Sequence, residues 1–197
     1  MGELFDSGRI ARNQPVVHGS HNLTGNIEWY TPPKYIESAR RVMGRIDCDP
    51  CTSELAQSMI AATSYYTIDT NGLTHDWHGN VWINPPYAAK IITQFVDKLI
   101  GHLHAGDVTN AIMLTHNNAD TAWFHKAALN CSAACFTRGR VRFYDEHGEG
   151  NSPTHGHTFM YFGRRYKRFA QEFQQYGWIV RSFSWPVKRK PVLADKP

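Results

Sequence analysis

Apolar side chains along the chain fall into two periods. Tyr35, Ile36, Ala39, Val42 and Met43 recur at helical spacing up to Gly44, and Ile91, Ile92, Phe95, Val96, Leu99, Ile100 and Leu103 form a broader face of the same kind. Tyr166, Phe169, Ala170 and Phe173 make a third such face, with Gly177 placed as its C-terminal cap, and residues 120–129 make a fourth. Thr52, Ser53 and Glu54 open a further helix that runs to Ala62, because hydroxyl caps followed by an early acid favour a helix start. Thr31 is positioned to cap the first helix, whose opening turn holds Pro32 and Pro33. Between these stretches lie short apolar or alternating runs over residues 45–49, 64–69, 80–83, 108–114, 133–137, 141–144, 157–162 and 178–185, which predict strands. Strands alternating with helices predict an α/β domain on a largely parallel sheet covered on both faces.

Residues 1–26 mix Gly, Asn, His and Ser without a period and predict a loosely ordered arm. A single domain is expected over residues 27–186, followed by a basic tail over residues 187–197 that contains Lys188, Arg189 and Lys190. A chain of 197 residues with 42% apolar content supports one sizeable core rather than two. It has no run of about 18 apolar residues and no basic-then-apolar start, so a cytoplasmic protein is expected, without a membrane span. A formal charge of +4 and 13% aromatic residues suit a nucleic-acid partner but are shared with many other proteins.

Two local features have rival readings. Arg164, Arg165, Lys167 and Arg168 crowd the start of a helix, where cations oppose the macrodipole, so they are either phosphate contacts or a solvated face. Cys48-x-x-Cys51 and Cys131-x-x-x-Cys135 offer zinc-like spacings. Cys48 however sits inside a predicted strand, and Cys131 and Cys135 flank Ser132-Ala133-Ala134. That pattern points to free buried thiols, so no metal is assigned.

The chemistry concentrates at Val81-Trp82-Ile83-Asn84-Pro85-Pro86-Tyr87. Neither proline can donate to a ladder and each fixes φ, so the chain must leave the sheet at Asn84. An amide, two rigid carbonyl-bearing residues and an aromatic ring are thereby held at the carboxyl end of a strand, where open α/β sheets place their ligands. An exocyclic amine on a purine is a weak nucleophile because its lone pair is delocalised into the ring. The Asn84 side-chain oxygen and the Pro85 main-chain carbonyl are two acceptors able to take its N–H groups and expose the lone pair, with Pro86 stiffening the turn. Tyr87 is positioned to stack on a base flipped out of a duplex. No G-x-G-x-x-G occurs, so a ligand without phosphates fits better than a dinucleotide.

The order Glu28-Trp29-Tyr30-Thr31-Pro32, Asp47-Cys48-Asp49-Pro50, Asn71-Gly72-Leu73, Trp77, Asn84-Pro85-Pro86-Tyr87, Trp123-Phe124 and Gly139-Arg140-Val141-Arg142-Phe143 resembles the phage-type, Dam-like DNA N6-adenine methyltransferases. The resemblance covers about residues 27–185. It implies a Rossmann-like fold with a seven-stranded sheet whose last strand is antiparallel, S-adenosylmethionine as donor and DNA as partner, in the cytoplasm of a bacterial host cell if the protein is phage- or prophage-encoded; it implies no obligate protein partner. By position it assigns Trp29, Tyr30, Thr31 and Pro32 to the methionine end of the cofactor. Asp49, followed by Pro50, is assigned to its ammonium group and Asp69 to its adenosine, while Asp47 is either a ligand contact or a buried structural acid. Many N6-adenine enzymes follow Asp-Pro with Phe and a glycine pair, whereas Cys51-Thr52-Ser53 stands here. No long insertion is available for target recognition, so residues 137–157 are the candidate, with Arg138, Arg140 and Phe143 as expected DNA contacts. The rival readings are the same chemistry on an RNA adenine or a protein glutamine amide, and a DNA-binding protein without turnover.

Overall fold

The computed structural model describes residues 30–145, 150–151 and 154–182. The predicted N-terminal arm, Trp29 and the basic tail lie outside them. Five helices pack on a sheet: α1 (Pro33–Met43), α2 (Glu54–Ile60), α3 (Ala89–Ala105), α4 (Ala122–Asn130) and α5 (Tyr166–Phe173). The strands are β1 (Cys48–Asp49), β2 (Ser64–Tyr65), β3 (Gly79–Ile83), β4 (Val108–His116), β5 (Ala133–Thr137), β6 (Phe143–Tyr144), β7 (Gly150–Asn151), β8 (His157–Phe162) and β9 (Gly177–Arg181). Seven of them form one mixed, mostly parallel sheet in the order β2-β1-β3-β4-β8-β5-β9.

The last strand is antiparallel, as expected, but so is β8, which enters between β4 and β5 and pairs antiparallel with both. A short hairpin, β6 with β7, projects from the connection between β5 and β8. Because β8 runs against its neighbours, its first residue, His157, lies beside the carboxyl end of β4.

Period-two alternation sorts the sheet side chains into two cores. Val81, Ile83, Ala111, Met113, Met160 and Phe162 face α3 and α4. Trp82, Ile112, Leu114, Phe159 and Tyr161 face α1 and α5. Both faces are therefore dry, which is why β4 and β8 read as nearly unbroken apolar runs.

Some features depart from expectation for local reasons. The strand expected over residues 64–69 stops at Tyr65, because the Thr67 N–H takes the Thr70 hydroxyl and the Asn71 N–H takes the Thr67 carbonyl, closing a turn. Gly177 does not cap α5, which ends at Phe173 with Gln174 as its cap; it opens β9, where a Cβ would sit 1.9 Å from the Phe136 carbonyl oxygen. Of the cations expected at the start of α5, Arg165 donates to the Val42 and Met43 carbonyls and so closes the C-terminus of α1. Arg164, Lys167 and Arg168 are exposed at the edge of the sheet opposite Asn84, as a solvated face would be.

Candidate active site

The carboxyl edge of the sheet brings four polar side chains from adjacent strands into a row. Asp49 ends β1, Asn84 follows β3, His116 ends β4 and His157 begins β8. The chain leaves the sheet at Asn84, as two prolines require, with Pro85 buried, Pro86 exposed and α3 starting at Ala89.

Asn84 is held at both ends of its amide. Its Nδ2 donates to Thr31 Oγ1 at 3.4 Å, and its Oδ1 accepts from the Tyr87 hydroxyl at 2.7 Å. Thr31 was expected to cap α1, yet the helix starts at Pro33 with Pro32 at the cap position and no side-chain cap. Two successive prolines push the helix start one residue too far, and the buried Thr31 hydroxyl turns to Asn84 instead. Burial pushes the Tyr87 phenol well above its ordinary value, so its hydroxyl stays protonated as the donor to Asn84.

Asp49 is almost fully buried and its carboxylate accepts from the Cys51 N–H at 3.3 Å and from Gln57 Nε2 at 3.1 Å. Burial raises its pKa to about 7, and the pull of these neutral donors and of Thr52 only partly offsets it. A buried carboxylate served by neutral donors would suit the ammonium group of a cationic ligand. Pro50 is pressed from behind by Gly72, where a Cβ would sit 2.0 Å from the Pro50 carbonyl oxygen. Asn71 supports that turn in the left-handed region, and Trp77 Nε1 donates to the Gly72 carbonyl at 2.8 Å. The Asn71-Gly72-Leu73 and Trp77 motifs therefore act as packing behind Asp49-Pro50. Trp123 and Phe124 are likewise core residues of α4.

The other expected residues are distributed unevenly around this row. The two readings of Asp47 are separated by its partners: Asn80 donates to it from both backbone and side chain, and Arg45 also contacts it, all at the amino end of β3. Asp69 stands exposed in the turn after β2, beyond the end of the strand that was to carry it. Tyr30 joins the hairpin: its N–H and carbonyl pair with those of Tyr144 at 2.7 and 3.0 Å. Arg138 and Arg140 are exposed beside the hairpin, but Phe143 is buried, its ring edge-on to His157 at 5.2 Å.

Three participants carry no motif. Gln57 is buried one turn into α2, bridging Asp49 and the Thr52 hydroxyl. The Cys51 thiol, whose pKa burial also raises, lies against the Asn84 N–H and next to Tyr87. His116 packs directly on the Tyr87 ring, with centroids 3.7 Å apart. A polar residue at the end of an otherwise apolar strand is the only signal that singles out His116 in advance.

The model of one protein family, described as DNA N-6-adenine-methyltransferase (Dam), matches residues 22–177. No curated protein matches the chain. The match spans β1 through α5 and all four members of the polar row. The chain belongs to the DNA N-6-adenine-methyltransferase (Dam) family.

Proposed function

We propose that the protein methylates the N6 amine of an adenine extruded from duplex DNA. The observation that carries this reading is the fixed orientation of the Asn84 amide. With Nδ2 committed to Thr31, the oxygen faces Tyr87 and keeps a second lone pair for an incoming N–H. The buried Pro85 carbonyl supplies the second acceptor from a residue whose φ cannot relax. Together they draw the amine nitrogen toward tetrahedral geometry, and their rigidity means that little reorganisation is needed during reaction.

When bound, S-adenosylmethionine would supply an electrophilic methyl group on its sulfonium. Direct, in-line displacement by the amine would form the N–C bond as the S–C bond breaks, with the neutral thioether leaving, the surplus amine proton passing to solvent and no covalent enzyme intermediate. Asp49 would hold its ammonium group, with Pro50 and the segment from Tyr30 to Pro32 alongside. Tyr87 offers the base a stacking face next to the two acceptors. The exposed Arg138 and Arg140 sit on the hairpin side, where they would meet phosphate; such contacts position a duplex without reading its sequence. The short hairpin supports a target of few base pairs or low selectivity.

Asn84→Ala tests the reading. Methyl transfer to unmethylated DNA should fall by about 10²–10³-fold or more, while calorimetric binding of S-adenosylmethionine persists. Transfer at the parent rate would refute the amine-clamp role. Competition among DNA, RNA and protein substrates identifies the acceptor, and preference for either of the last two would replace DNA in this account.

A further inference from the structure

The Tyr87 ring is restrained from two sides. Its hydroxyl is bonded to Asn84, and one face lies on the His116 imidazole at a 3.7 Å centroid separation and 31° tilt. The pile continues outward, since His155 stacks on His116 at 4.7 Å and 13°. His157, the cross-strand partner of His116, meets it edge-on at 5.1 Å and is itself backed by Phe143. Three rings thus run from the amine clamp to the exposed His155, next to the hairpin.

We propose that His116 is a positioning residue that fixes the plane of Tyr87, so that the phenol ring is held beside the extruded base at the height of the Asn84 and Pro85 acceptors. The inference rests on the amine-methylation reading above. Its physical basis is that one face of Tyr87 is closed by an imidazole anchored in β4, leaving the phenol ring little freedom to tip. A misplacement of the acceptor base by about 1 Å costs on the order of 10²-fold in rate. The imidazole serves as an uncharged plate: burial, with His157 and His155 nearby, lowers its pKa to about 3, and burial lowers that of His157 to about 4. A neutral plate also places no repelling charge near a cationic methyl donor.

The test compares His116→Ala, His116→Leu and His116→Phe by calorimetry with S-adenosylmethionine and by steady-state methyl transfer to unmethylated plasmid DNA. The Ala and Leu variants should lose kcat by about 10²-fold with KM for DNA little changed, and Phe should return it to within about threefold of the parent. Cofactor affinity should hold in all three. Leu fills the volume without a flat face, so it carries the comparison if the Ala variant fails to fold. Parent-level kcat in Ala or Leu, or equal loss in Phe and Leu, would overturn the role of a planar support. A parent protein that binds cofactor but methylates no DNA would instead bring down the functional reading on which this one stands.

Discussion

Along the amino edge of the sheet, Asp47 just before β1, Asn80 on β3, Asn110 on β4 and Tyr161 on β8 bond in series. Asn80 donates to Asp47, Asn110 donates to the Asn80 oxygen at 2.8 Å, and Tyr161 donates to the Asn110 oxygen at 2.7 Å; the Arg165 N–H then closes on the Tyr161 hydroxyl at 2.9 Å. Along the carboxyl edge, Asp49, Asn84, His116 and His157 cross the same strands in the same order. Asp49 is buried with neutral donors, and His157 accepts from Val141 through Nδ1 while its buried Nε2 has no partner among the described residues. Thr115, next to His116 in the chain, also keeps a buried hydroxyl with no partner among the described residues. Every side-chain oxygen and nitrogen of the first row has a partner within the chain, an arrangement that favours stability. The second holds a buried ring nitrogen that folding does not use, as a site for ligands would.

Asp47→Ala should give the largest stability effect. It strands the Asn80 N–H and side-chain amide, at a cost of about 3 kcal/mol in denaturant unfolding, and leaves kcat per folded molecule unchanged. A comparable loss of cofactor affinity would dissolve the contrast between the two edges. Asp49→Asn should do the reverse, lowering S-adenosylmethionine affinity by about 10²-fold, or about 2.7 kcal/mol, without destabilising the protein at pH 8.

Titration sharpens the same contrast. The Asp49 pKa rises on folding from an ordinary 3.8 to about 7, so the folded state favours the protonated form and stability declines as pH climbs through that window. With Asp49 holding the ammonium group as proposed, affinity should rise with pH up to about 7 and level off above it; the Asn variant should show neither trend. The histidines act in the opposite direction. Folding lowers the pKa of His116 and His157 from 6.5 to about 3 and 4, so stability falls as pH drops below about 6.5. In the Asp49→Asn background this acid slope should stand alone, and His116→Phe should flatten part of it, the smallest of these effects. Urea midpoints between pH 4 and pH 8 measure both slopes.

Much of this was legible in the sequence because it rests on periodicity and proline chemistry. The faces of α1, α3 and α5, strand β8 and the exit at Asn84 follow from where apolar residues and prolines fall. The choice between two acids two residues apart was not legible, since Asp47 and Asp49 fall on one face of the strand expected over residues 45–49. Only the arrival of Asn80 at one and of Gln57 at the other separates them. The Thr31 contact was hidden for a similar reason: a hydroxyl before two prolines looks like a cap until a distant amide competes for it. His116 and Phe143 depend on the antiparallel entry of β8, a long-range choice that local spacing does not encode.

The paired backbones of Tyr30 and Tyr144 limit how this protein can be re-engineered. The hairpin looks like a detachable module, yet its β6 strand is stitched to the residue that precedes Thr31, and Thr31 touches Asn84. A graft that exchanges only residues 138–156 would cut that stitch and free one support of the amine clamp. The unit of exchange is therefore discontinuous in the chain, and it includes residues 30 and 31 together with the hairpin.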